Sequence, residues 1–138
     1  MSTFLSSQPI LLPQGIAIVR IILGLLIVYH GIEVFDPALM KSYVGNGMMS
    51  GSNALLMVYV GKSSELTCGI LLLLGFMTRV GALIAIGTFS YITFMVGEGR
   101  FWYQDQHPFM FALLGLLFLF TGPGAWSIDA RVFKTRRG

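Results

Sequence analysis

Polar interruptions divide the chain into four apolar stretches. Val80 to Gly97 runs 18 residues, and Pro108 to Ile128 runs 21, without one charged side chain. That is the length of uncharged segment a bilayer-crossing helix needs. A third stretch, Gly15 to Val34, follows Pro13 and is interrupted only by Arg20 near its start and by His30 and Glu33 near its end. The fourth, Asn53 to Met77, contains Lys62 and Glu65. Each of those charges costs roughly 2.5 to 3.5 kcal/mol at a helix centre, while eleven Leu, Ile, Val and Phe residues return about 0.3 to 0.6 kcal/mol apiece, so the balance is near zero. This segment inserts only with its neighbours, and its charges face the bundle interior. The pattern predicts spans at about 15–34, 53–77, 80–97 and 108–125, joined by a glycine-rich polar loop from Phe35 to Ser52, a tight turn near Thr78, and a loop from Glu98 to His107.

Composition sharpens this picture. Of 138 residues, 55% are apolar and 11% charged, against about 25% charged in an ordinary soluble domain, and the mean hydropathy is +0.78. A water-soluble enzyme is excluded. At 1.5 Å per residue, four spans and their loops use up the chain, so residues 1–138 form one domain: an all-α integral membrane protein, an antiparallel four-helix transmembrane bundle. The net charge is +3, but the basic residues are scattered except for Lys134, Arg136 and Arg137 in the tail 129–138, and no nucleic-acid partner is expected. Arg79, Arg131 and that tail lie on the side of the termini, against Lys41 and Arg100 on the other, which places both termini in the cytoplasm. The stretch before Gly15 has no Lys or Arg, so the n-region of a cleaved signal peptide is missing and the first span is read as retained. Cys68 is the single cysteine, so neither an internal disulfide nor a CxxC pair exists. GxGxxG, Walker, GxSxG and HExxH motifs are absent.

The interior charges are the first candidate chemistry. If spans one and two share an outer end at Val34 and Ala54, Arg20 stands opposite Cys68, about 4.5 Å in height from Glu65. Arg20, Gly24, Ile27 and Gly31 form one helical stripe and Gly61, Glu65 and Gly69 another, so small residues flank each charge and allow close backbone approach. Arg20, Lys62 and Glu65 are therefore expected to form an intramembrane charge network with an Arg20–Glu65 ion pair. It serves either as a structural pair fixing helix register or as a proton or ligand site whose charge state Arg20 and Lys62 set. Lys62 is either a member of that network or an outward-reaching snorkeller.

A second group gathers toward the outer face: His30 and Glu33 at the end of span one, Tyr59 in span two, and Trp102, Tyr103 and His107 before span four. An aromatic belt is the plain reading. The sharper one is an outer cavity, lined by His30, Tyr59, Trp102, Tyr103 and His107, that binds a small apolar ring compound such as a quinone. Two histidines without a close repeat are a weak signature for haem or metal, and no metal site is expected.

The order of these residues resembles the DoxX family of small four-span membrane proteins. The resemblance rests on Arg20-Ile-Ile-Leu-Gly24, His30-Gly31, Gly61 and Glu65 before Gly69-Ile-Leu-Leu-Leu-Leu-Gly75-Phe-Met-Thr-Arg79, and Gly122-Pro-Gly-Ala-Trp-Ser-Ile-Asp129. The chain departs from the family in carrying Glu33 and Phe35 where a lysine often follows the His-Gly pair. The resemblance implies a bacterial-type inner-membrane protein associated with respiratory or redox systems, with Arg20, His30, Glu65, Arg79 and Asp129 at family-like positions. Gly122, Pro123 and Gly124 stop the last span, and Arg79 and Asp129 are a candidate pair on the cytoplasmic rim.

Three functions compete. The first is a membrane subunit of a redox pathway, an accessory to a quinone-linked oxidoreductase with redox partner proteins or a second copy of itself beside it. The second is a scaffold, chaperone or assembly protein without chemistry. The third, a small-molecule or proton transporter, would use the same charges.

Overall fold

The computed structural model describes residues 7–47 and 49–133; the basic residues Lys134, Arg136 and Arg137 lie outside them. Among the described residues every regular element is helical. Helix α1 (Leu12–Gly31) runs on through a 3-10 turn (Ile32–Phe35), followed by a short α2 (Pro37–Gly45), α3 (Ala54–Leu74), α4 (Thr78–Tyr91) extended by a π-helical turn (Ile92–Val96), α5 (Gln106–Thr121) and α6 (Ile128–Val132). Three of these, Leu12–Phe35, Ala54–Leu74 and Thr78–Val96, are long and apolar enough to cross a membrane, whereas Gln106–Thr121 is shorter. Gly122 closes α5 at a backbone angle, φ 76°, that favours glycine, so the last helix ends earlier than its apolar run.

The segment from Phe35 to Ser52, expected as a loop, contains a helix. Asp36 caps it, its carboxylate accepting from Ala38 N at 3.0 Å and Leu39 N at 3.1 Å, and Pro37 supplies the pre-set first turn. Met40 on its inner face is fully buried.

The long helices pack in chain order, α1 on α3, α3 on α4 and α4 on α5. Leu23 and Ile27 meet Cys68 and Leu72, then Ala82, Ala85 and Phe89, then Phe111, Ala112 and Phe118. Phe89 and Phe111 stack edge to face at 5.1 Å. The outside is the apolar part: Ile22, Leu26, Leu83 and Leu117 are exposed while Arg20 is 0% and Glu65 4% exposed. That inversion suits a lipid solvent, in which helices satisfy their own backbone and polar side chains turn inward.

Candidate functional site

The glycines of α1 and α3 fix how these helices meet. A Cβ on Gly24 would lie 2.5 Å from Leu73 N, one on Gly31 2.5 Å from Leu66 N, and one on Gly69 2.8 Å from Val28 N. The backbones are thus in direct contact at Gly24, Gly31 and Gly69 of the expected small-residue stripes, whereas a Cβ on Gly61, expected in the same stripe as Gly69, would meet nothing within 4 Å. The register, however, is displaced by about nine residues, roughly 13 Å, from flush outer ends. The first turns of α3 run past the end of α1 and pack against the 3-10 turn and α2 instead.

This displacement carries Arg20 away from Glu65, and the expected ion pair does not form. Arg20 reaches the end of α3, where its guanidinium donates to five backbone carbonyls: Leu72 and Leu73, the latter at 3.0 Å, Pro123 at 2.8 Å, Trp126 at 2.9 Å and Ala125 at 3.4 Å. A helix C-terminus offers unpaired carbonyls and partial negative charge, so a buried cation is satisfied there without a carboxylate. The five planar donors suit several acceptors at once. Gly75, the left-handed cap of α3 at φ 63°, leaves the room: a Cβ there would sit 2.5 Å from Ser127 Cβ and 2.8 Å from Arg20 Nη1.

The expected Arg79–Asp129 pair is also replaced. Asp129 accepts from Met77 N at 2.7 Å and Thr78 N at 2.8 Å, capping α4 from a distant part of the chain, while Arg79 stays exposed. Free N–H groups at a helix start attract a carboxylate more than a solvated side chain does.

At the opposite end, Lys62 and Glu65 do meet, with a partner from α1's extension. Lys62 Nζ lies 2.8 Å from Glu33 Oε2 and 3.0 Å from Glu65 Oε2, and donates more distantly, at 3.4 Å, to the His30 carbonyl. Tyr43 of α2 donates its hydroxyl to Glu33 Oε2 at 2.7 Å, and its ring centroid is 5.3 Å from Lys62 Nζ, within cation–π range. Burial, and then the hydrogen bond to Glu33, push the Tyr43 phenol above its ordinary pKa. Two carboxylates thus share one ammonium, and Lys62 faces inward among them.

Beside this cluster α3 and α4 part to leave a cleft of about 530 Å³. Tyr43, Lys62 and Glu65 form its polar end, and Val58, Leu83 and Ile84 its apolar walls. Gly61 and Gly87 make the space, for a Cβ on either would meet nothing within 4 Å. Val60, Leu83 and Met57 along its rim are exposed, so the cleft opens sideways where lipid would be.

The aromatic and histidine residues expected around an outer cavity do not line this cleft. His30 and His107 come together, ring centroids 6.2 Å apart and edge to face, and His107 packs on Phe111 at 4.9 Å. Trp102 and Tyr103 are 68% and 74% exposed, on a turn held by Asp105, which accepts from Glu98 N and Arg100 N at 3.0 Å each. Tyr59 is half-buried on α3 and outside the cleft lining. Glu33, Tyr43 and Gly87 are the site residues that spacing alone does not assemble. For Tyr43 the signal is the Asp36-Pro37 cap, because a helix starting there folds Tyr43 back over the end of α1; no pattern in the sequence marks Gly87.

Taken with its lipid-suited surface, this arrangement defines a multi-pass helical membrane protein with polar groups buried at both ends of its bundle. The DoxX family model matches residues 15–98, and the chain belongs to that family. It is similar to an uncharacterized protein of Haemophilus influenzae, 29% identical over 129 residues, covering 88% of this chain and 93% of that one. An uncharacterized membrane protein of Mycobacterium tuberculosis is also 29% identical, over 139 residues, covering 88% of this chain and 83% of its own length. No solved structure matches the chain significantly.

Proposed function

We propose that the chain is an integral membrane subunit of a respiratory or redox pathway that holds a small, mostly apolar ring compound of the quinone class in the cleft between α3 and α4. The observation that carries this reading is the joining of a lipid-facing apolar cavity to one compact polar end. Small-molecule sites have volumes of about 300–1,000 Å³, apolar walls and a few placed polar groups, and the 530 Å³ cleft with Tyr43, Lys62 and Glu65 fits that description. The walls hold the ring, and the polar end orients its oxygens. The chain's own residues bind and orient; electrons come from a partner oxidoreductase, to which this subunit is an accessory.

In this reading α1, α3, α4 and the shorter α5 all cross a bacterial-type inner membrane, with both termini cytoplasmic. At 16 residues α5 is about 24 Å long, which local bilayer thinning accommodates. The cleft then lies toward the outer face, and its open side admits ligand from the lipid.

Titration of a short-tailed quinone into protein reconstituted in lipid nanodiscs tests the proposal. Saturable binding to the native chain, lost in Gly87→Leu, is expected, because Gly87 lines the cleft and a Cβ there meets nothing within 4 Å, so a leucine projects into the ligand's space. Equal binding to both, or none to either, overturns the cleft as the site.

A further inference from the structure

The polar end of the cleft has an uneven supply of hydrogen-bonding groups. An ammonium carries three donors and no acceptor, and all three directions of Lys62 are occupied, by Glu33 Oε2, Glu65 Oε2 and, more loosely, the His30 carbonyl. The Tyr43 hydroxyl has its one proton on Glu33 Oε2. Ser64, also on the cleft lining, gives its proton to the Val60 carbonyl at 2.8 Å. Glu65 engages Lys62 through Oε2 alone, and among the described residues Oε1 has no partner. That oxygen is not sealed away, since it is absent from the buried unpaired atoms, and Glu65 lines the cavity. The Thr88 and Tyr91 hydroxyls on the α4 side turn to give or to take a hydrogen bond and so favour neither kind of ligand.

We infer that the cleft selects a ligand carrying a hydrogen-bond donor at its polar end, a lipophilic phenol or hydroquinone, over the matching carbonyl or ether, because Glu65 Oε1 is an open acceptor while the neighbouring donors are already engaged. A carboxylate accepts and does not donate. A quinone carbonyl in the same place sets oxygen against oxygen, whereas a hydroxyl gives a charge-assisted bond of the stronger kind. The surplus of one carboxylate over the single ammonium acts in the same direction. This inference rests on the cleft being the ligand site, and it turns that site from a general quinone pocket into one that still admits the quinone but prefers the reduced, hydroxyl-bearing form.

The experiment uses two non-redox probes of nearly equal shape, a para-alkyl phenol and its O-methyl ether, with binding measured to the full chain in nanodiscs against empty discs. The phenol should bind about tenfold tighter or more, the value of one hydrogen bond to a charged acceptor. In Glu65→Gln the preference should collapse, because a carboxamide both donates and accepts. That variant leaves Lys62 paired one to one with Glu33, so the remaining ammonium keeps its partner; Gly87→Leu, which keeps every charge, should abolish saturable binding of both probes. Equal binding of phenol and ether, tighter ether binding, or a preference that survives Glu65→Gln overturns the inference while the cleft stands. No saturable binding of either probe to the native chain overturns the cleft as well.

Discussion

The two ends of the bundle bury charge in opposite ways. Around Arg20 the five hydrogen bonds all go to backbone carbonyls and tie α1 to the end of α3 and to the segment before α6, with the Asp129 carboxylate acting on the guanidinium only through space, and the glycine beside it is needed for clearance. Around Lys62 two carboxylates converge on one ammonium, side-chain exposure rises from 6% at Glu65 through 14% at Lys62 to 26% at Glu33, and Gly61 and Gly87, on the cleft side, border empty space. The first arrangement saturates its cation and leaves no room. The second keeps one oxygen open beside a cavity. Buried charge alone therefore does not mark a ligand site in this fold; unspent hydrogen-bonding capacity next to free volume does.

The largest effect that can break this contrast is removal of the cation at the saturated end. Arg20→Gln withdraws the guanidinium from five carbonyls, of which Leu72 keeps a backbone donor in Gly75 N at 3.1 Å, and should lower stability by several kcal/mol, at about 1–3 kcal/mol for each buried acceptor left unsatisfied. Thermal unfolding in mild detergent reads this, and unchanged unfolding would mean that the knot is not structural. Next come the glycines. Gly31→Ala forces a methyl against the Leu66 backbone and should cost about 1–3 kcal/mol, whereas Gly87→Ala, on the open side, should be neutral or stabilising by up to about 1 kcal/mol; similar losses at both positions would erase the difference between a packed and an open glycine.

Legibility in the sequence followed the same divide. Glycine spacing at Gly24, Gly31 and Gly69 identified the contact between α1 and α3, because periodicity on a helix face is local information. Register is not local. Flush outer ends put Arg20 at the height of Cys68, and only the fold shows that α3 overshoots α1 because the 3-10 turn and α2 fill the gap. The same displacement explains why Lys62 meets Glu33, while Asp129 finds the amides of Met77 and Thr78 because these open α4 without a local cap. The cleft was harder still to read, since it arises where α3 and α4 part and no residue pattern marks an absence of atoms. His30 and His107 did come together, but at the α1–α5 contact rather than around the cavity.

Smaller effects refine the two ends separately. Asp129→Asn weakens the cap on α4 and should cost about 1 kcal/mol, with no change in ligand binding at the far end; a matching loss of binding would show the ends to be coupled. Tyr43→Phe removes the hydrogen bond to Glu33 and should cost about 1 kcal/mol. Because the folded phenol holds its proton more tightly than the unfolded one, that contribution is present in full below the unfolded value near pH 10 and is lost as pH rises from there through the folded pKa. Unfolding midpoints of the native chain and Tyr43→Phe should converge in that alkaline window, and parallel curves would remove Tyr43 from the cluster.

The central claim is that ligand sits between α3 and α4 rather than at the histidine pair. Photolabelling with an azido-quinone in native membranes, followed by peptide mapping, tests it most directly. Label on the segments around Gly61–Glu65 and Leu83–Thr88, competed away by unlabelled quinone, is the predicted result. Competed label confined to the peptides bearing His30 and His107 would contradict it.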